Sequence, residues 1–123
     1  MSQARITQIL ETLAPVSVAP ANQTSADAYA DVIGSKIDAE GKTRVVYTIY
    51  NAHAANSITW KVLASLDDVI YIEILAEAAL AAVTAASWVA SATETSYRYF
   101  KVQVKSTVGA AHGTIQVRGY AKM

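Results

Sequence analysis

From Tyr29 onward, run after run places apolar side chains at every second position, and this spacing limits the possible folds more than any other feature of the sequence. A period of two sends successive side chains to opposite faces of an extended strand and leaves one face to be buried. Thr43 to Tyr50 (TRVVYTIY) is rich in β-branched and aromatic residues and follows a Glu40-Gly41-Lys42 turn. In Ser57 to Ser65, Ile58, Trp60, Val62 and Ala64 share one face, and Thr59, Lys61, Leu63 and Ser65 share the other. After an Asp67-Asp68 turn, Ile70, Ile72 and Ile74 alternate with Tyr71, Glu73 and Leu75, which predicts a further strand with one buried face. Arg98, Phe100, Val102 and Val104 alternate with Tyr99, Lys101, Gln103 and Lys105, and Ile115 and Val117 alternate with Gln116 and Arg118. With the glycine-bearing Ser106 to Gly113 between them, these runs predict an antiparallel hairpin with a longer loop. Glu73 to Ser87 (EILAEAALAAVTAAS) is ambiguous, because its alanines and glutamates favour helix while the isoleucines leading into it favour strand. The reading adopted is a strand to about Ala78, a loop or single helical turn, and a short strand near Trp88 to Ala92.

The beginning of the chain has another period. Ile6, Ile9, Leu10 and Leu13 fall at i, i+3, i+4 and i+7, the apolar stripe of a short amphipathic helix that Ser2 can cap and Pro15 stops. Such a short helix is rarely stable alone in water, so its stripe requires a partner surface. Val16 to Ser25 (VSVAPANQTS) mixes small and polar residues with Pro20 and reads as an extended arm. The expected fold is therefore all-β, an antiparallel β-sandwich or jelly roll over residues 26–123, preceded by an N-terminal helix and arm over residues 1–25. Arg5 and Glu11 interrupt the N-terminal stretch, so neither a signal peptide nor a membrane span is expected there.

At 123 residues the chain can bury one core. A composition of 53% hydrophobic and 16% charged residues is too apolar for disorder, and its low charge implies that part of the surface is covered by something else. Ten basic residues balance ten acidic ones, so no net field gathers phosphates and nucleic acid is not an expected partner. The absence of cysteine excludes disulfides, zinc-thiolate sites and thiol catalysis.

Catalytic machinery is not expected. His53 and His112 each sit in a predicted turn without a second histidine or carboxylate at ligand spacing, so no metal or other cofactor is expected. Asp67 and Asp68 are adjacent in a turn, where their side chains diverge, and there is neither a Gly-X-Ser-X-Gly elbow nor a glycine-rich phosphate loop. The aromatic residues are the remaining candidates. Trp60 points inward with Ile58 and Val62, whereas Tyr71 and Tyr99 point outward and are the expected partner-binding residues, together with Ile6, Ile9, Leu10 and Leu13.

Taken together, IYNAHAANSITWKVLASLDD (Ile49 to Asp68) and YRYFKVQVKSTVGAAHGTIQVRGYAKM (Tyr97 to Met123) resemble the small β-sandwich proteins of tailed-phage virions, which include head decoration or cement proteins. The resemblance covers about the last two-thirds of the chain. It implies a non-enzymatic subunit made in the host cytoplasm and incorporated in the virion. Such a subunit is a homo-oligomer, a trimer being favoured, that contacts other virion proteins such as the major capsid protein. The strand pattern is also similar to discoidin-like jelly rolls, without their disulfide, which implies an alternative as a carbohydrate-binding module using exposed aromatics.

Overall fold

The computed structural model describes residues 16–18, 23–108 and 112–123. The expected helix with Ile6, Ile9, Leu10 and Leu13 lies outside the described residues.

Among the described residues, ten strands form two antiparallel layers. In one layer, β1 (Val16–Val18) and β2 (Gln23–Thr24) lie along β10 (Thr114–Lys122), which pairs with β5 (Arg44–Asn51), which in turn pairs with β8 (Thr84–Val89). In the other, β3 (Ala30–Asp31) and β4 (Ile37–Asp38) lie along β9 (Tyr99–Ser106), followed by β6 (Ile58–Ser65) and β7 (Ile72–Leu80). Two stretches of the segment expected as an arm are thus extended on β10, with Val16 opposite Ala121 and Gln23 opposite Ile115. If β1 with β2 and β3 with β4 are each taken as one interrupted edge strand, each layer has four strands. The connections β5 to β6, β7 to β8, β8 to β9 and β9 to β10 all change layer, which is the jelly-roll form of the sandwich.

The alternating residues meet between the layers. Val45, Tyr47 and Ile49 of β5 and Ile115 and Val117 of β10 face Ile58, Trp60 and Val62 of β6 and Phe100, Val102 and Val104 of β9, all buried. Trp88 of β8 closes the open side, its ring 6.4 Å from that of Tyr47 and 6.2 Å from that of Phe100. The Tyr47 hydroxyl donates to the Ser35 carbonyl at 2.6 Å, so this buried polar tip is satisfied.

Three expectations are corrected. β9 and β10 do not form a hairpin: β9 pairs with β6 and β10 with β5, in opposite layers. Alternation specifies which face of a strand is buried but not its neighbour, and a connection of seven residues can cross the roughly 10 Å between packed sheets. The run Glu73 to Ser87 contains no helical turn. β7 continues to Leu80, Val83 turns the corner at a φ of 51°, and β8 starts at Thr84 rather than near Trp88. Pairing with β6 and β5 outweighs the helix propensity of the alanines. Finally, Ile70 and Ile72 are exposed: Ile70 belongs to the loop before β7, and Ile72 follows the β6–β7 register shifts between Trp60 and Val62 and between Val62 and Leu63, where the alternation of β7 breaks.

Candidate functional site

The most distinctive surface lies at the end of the sandwich where β6 leaves its layer and returns as β7. Four large apolar side chains stand in solvent there: Val69 is 77% exposed, Ile33 75%, Ile70 72% and Leu66 66%, with Ile72 beside them at the start of β7. Scattered apolar residues on a surface are ordinary, but a group of them at one loop end makes this the candidate interaction surface.

The loop is held by its own polar residues. Ser65, the last residue of β6, accepts the Asp67 and Asp68 amides at 3.2 and 3.0 Å, and its hydroxyl donates to Asp67 Oδ1 at 3.0 Å. The same Asp67 oxygen accepts the amides of Val69 and Ile70, each at 3.0 Å. These nested side-chain turns use the local hydrogen-bonding habit of serine and aspartate, and Asp68 adopts the left-handed conformation (φ 62°) that aspartate tolerates. Asp68 then ties the loop to its surroundings. It pairs with Lys36 Nζ at 2.8 Å and accepts a short hydrogen bond from the Tyr71 hydroxyl. The amides of Ile70 and Val69 and the Ser65 hydroxyl hold the Asp67 carboxyl below the usual carboxylate range, and Lys36 and Tyr71 do the same for Asp68. Two shallow depressions flank the loop. One, of about 340 Å³, lies among Leu66, Ile70, Ile72 and Tyr97. The other, of about 380 Å³, lies among Ile33, Lys36, Asp68, Val69, Tyr71 and Lys101.

Tyr71 and Tyr99 stand at this same end, both half-buried. Neither ring is bare: Lys101 Nζ lies 4.1 Å from the centre of the Tyr71 ring, and the Arg98 guanidinium 4.9 Å from that of Tyr99. Burial, reinforced by Asp68, raises the pKa of the Tyr71 hydroxyl. Beyond them, the outer face of β6, β7 and β9 is a lattice of paired charges. Lys61 meets Glu73 at 2.5 Å, Lys101 meets Asp31 at 3.0 Å, and Lys105 meets Glu77 at 3.5 Å. Tyr29 lies under Lys61 at 4.0 Å and donates to Glu77 at 2.7 Å, and burial together with Glu77 pushes its hydroxyl up to about 12.

Sequence reasoning singled out Tyr71 and Tyr99 and the Asp67-Asp68 turn, and the structure brings them together. It missed Ile33, Leu66 and Val69, and it placed Ile70 on a strand with one buried face. The available signal was an apolar residue on each side of a two-aspartate turn, where polar residues are usual.

One constellation has the composition of a nucleophilic relay. His112 Nδ1 lies 2.9 Å from Ser106 Oγ, and Asp27 lies 3.5 Å from His112 Nε2. Ser106 is only 4% exposed and its hydroxyl is also 2.7 Å from that of Ser25, which accepts the Gly113 amide. A substrate carbonyl has no approach to that oxygen, and the group instead fastens the start of β10 to the segment after β2. His53 is equally engaged: its Nδ1 accepts the amides of Ala55 and Asn56 at 3.0 Å. Among the described residues, no group of three or more His, Asp or Glu side chains is placed to hold a metal ion.

No protein-family model matches the chain, and no curated protein matches it. Solved structures share its fold at low identity. The SPBc2 prophage-derived protein YomS superposes with a TM-score of 0.56 at 11% identity, covering 89% of this chain and 96% of that one. The PBSX exported protein XepA gives a TM-score of 0.59 at 13% identity over 90% of this chain and 37% of that one. A subunit of the disulfide-linked pili that form Bacillus endospore appendages gives 0.53 at 13% identity over 89% and 88%.

Proposed function

We propose that this chain is a non-enzymatic structural subunit of a phage virion, a capsid decoration or cement protein that stabilises the particle through contacts with its own copies and with a neighbouring protein such as the major capsid protein. The observation that carries this reading is the apolar loop end. Leu66, Val69 and Ile70 are presented to solvent by a loop whose shape is already fixed, so docking them loses little conformational freedom. Tyr71 and Tyr99 border the patch, and the apolar stripe Ile6, Ile9, Leu10 and Leu13 provides a second grip. The fold shared with a prophage-derived protein, an exported protein and a pilus of endospore appendages supports an assembly role.

The alternative as a carbohydrate-binding module finds less support. Sugar rings stack on open aromatic faces, whereas Tyr71 and Tyr99 carry Lys101 and Arg98, Trp60 is buried, and Trp88 packs against Tyr47 and Phe100.

Leucine-sized side chains contribute about 1.5–3 kcal/mol each when fully buried, so replacing three of them in an interface by serine weakens it by on the order of a hundredfold or more. The test is co-sedimentation with particles of the phage or prophage that encodes the chain, comparing the intact protein with the Leu66→Ser, Val69→Ser, Ile70→Ser triple variant. A lost association with an unchanged circular dichroism spectrum is the expected result. Equal binding by the variant would overturn the loop as docking surface.

A further inference from the structure

β8 is the outermost strand of its layer, and among the described residues no strand is hydrogen-bonded to its far side. The Ala90 amide donates to the Val45 carbonyl at 2.9 Å. The alternation of an antiparallel ladder then directs the backbone groups of Thr84, Ala86 and Trp88 toward β5 and turns those of Ala85, Ser87 and Val89 outward. Proteins protect such edges with charges, prolines or bulges. Here there are none of the first two: from Ala78 to Thr93 the chain contains no charged residue and no proline. β8 pairs with β5 without a register shift, so the third is missing as well. β7, the edge of the opposite layer on the same side, has both a shifted register and the carboxylates Glu73 and Glu77.

We propose that β8 pairs with β8 of a second copy, antiparallel about a two-fold axis at Ser87, so that the two layers join into one continuous sheet. The proposal rests on the assembly reading and gives it a geometry. A two-fold contact requires a self-complementary surface. Thr84–Val89 (TAASWV) has no charge to repel its own copy, and the exposed side chains of Ala85, Ser87 and Val89 leave room for one. With Ser87 on the axis, Ala85 stands opposite Val89 of the second copy, and the outward backbone groups form roughly six interchain hydrogen bonds. A charge check favours the same arrangement. Arg118 lies level with Ser87 through Thr48. At about 4.8 Å per strand it is about 24 Å from Arg118 of the second copy, beyond the roughly 8 Å over which exposed charges act at physiological salt.

Because the chain has no cysteine, a single introduced one reports the contact without ambiguity. Across the axis, Ser87→Cys places two Cα atoms about 5.5 Å apart, within the range of a disulfide, whereas Thr48→Cys on β5 places them about 14 Å apart. Under mild oxidation S87C should form a covalent dimer at least tenfold faster than T48C. Ser87→Lys, which puts two ammonium groups on the axis, should halve the solution mass measured by light scattering. A cross-linking rate for S87C no greater than for T48C, an unchanged mass for S87K, or an intact chain found only as a trimer would overturn the pairing, since a trimer has no two-fold axis. The loop triple variant keeps the Ser87 cross-link if only the docking surface is misassigned, so the two proposals fail separately.

Discussion

Asn51 ends β5 at a position whose parity points inward, and it is fully buried. Its amide nitrogen shares its protons among the carbonyls of Asn56, Leu80 and Ala81 at 3.0, 3.3 and 3.2 Å, while its oxygen accepts the His53 amide at 3.0 Å. One side chain thus joins the end of β5 to the corner between β7 and β8. Asn51→Asp keeps the shape but turns a donor toward three carbonyl oxygens into an acceptor, and leaving such groups unpaired costs about 1–3 kcal/mol each. The variant is expected to be less stable than the parent by at least about 2 kcal/mol at neutral pH. Its new carboxyl has a raised folded pKa, so the folded state binds the proton more tightly than the unfolded state. The deficit should therefore shrink as pH falls toward 4, as urea titrations at several pH values can measure. By residue type Asn51 fits a turn between strands; its burial follows instead from its parity with Val45, Tyr47 and Ile49, which residue type alone does not show.

The loop that follows β6 is the element whose chemistry depends most on pH. The Asp67 and Asp68 carboxyls both have depressed pKa values in the folded loop, which favours their charged forms. The stabilisation they give is complete above the unfolded value of about 3.9 and is lost as pH falls through the lower folded values. Amide exchange at Val69 and Ile70 should be slow at pH 7 relative to Asp67→Ala, and the difference should vanish in strong acid; equal exchange at neutral pH would contradict the hydrogen bonding described. At this scale the sequence was legible wherever a strand kept strict alternation. β5, β9 and β10 bury the faces that their spacing announces, and β6 does so at Ile58, Trp60, Val62 and Ala64, although Leu63 and Ser65 of its other face are buried as well. Legibility failed at β7, where two register shifts place Ile72 and Glu73 in adjacent exposed positions, and a bulge leaves no mark in a pattern of residue types.

In the whole molecule, layer membership was the hidden quantity. The parity of β9 and β10 showed a buried face in each, but the choice between a hairpin and a crossing was made by the other strands competing for the same partners. The sandwich is completed on its β10 side by β1 and β2, and Ser25 joins Ser106 and His112 next to them. Removal of residues 1–14, which spares β1 and β2, is therefore the reference against which their contribution is measured. Removal of residues 1–25 uncovers β10 and the Ser106 hydroxyl and should lower Tm by about 10 °C. Calorimetry of the two truncations decides the matter, and equal Tm values would show that β1 and β2 contribute nothing to closure. The loop at the β6–β7 end has a consequence of another kind. Ser65, Asp67, Asp68 and Tyr71 set its shape, whereas Leu66, Val69 and Ile70 form its outward surface, and the two sets share no residue. If the loop docks as proposed, its contact surface can change by single substitutions that folding does not register, so partner choice and stability evolve on separate positions of one short segment.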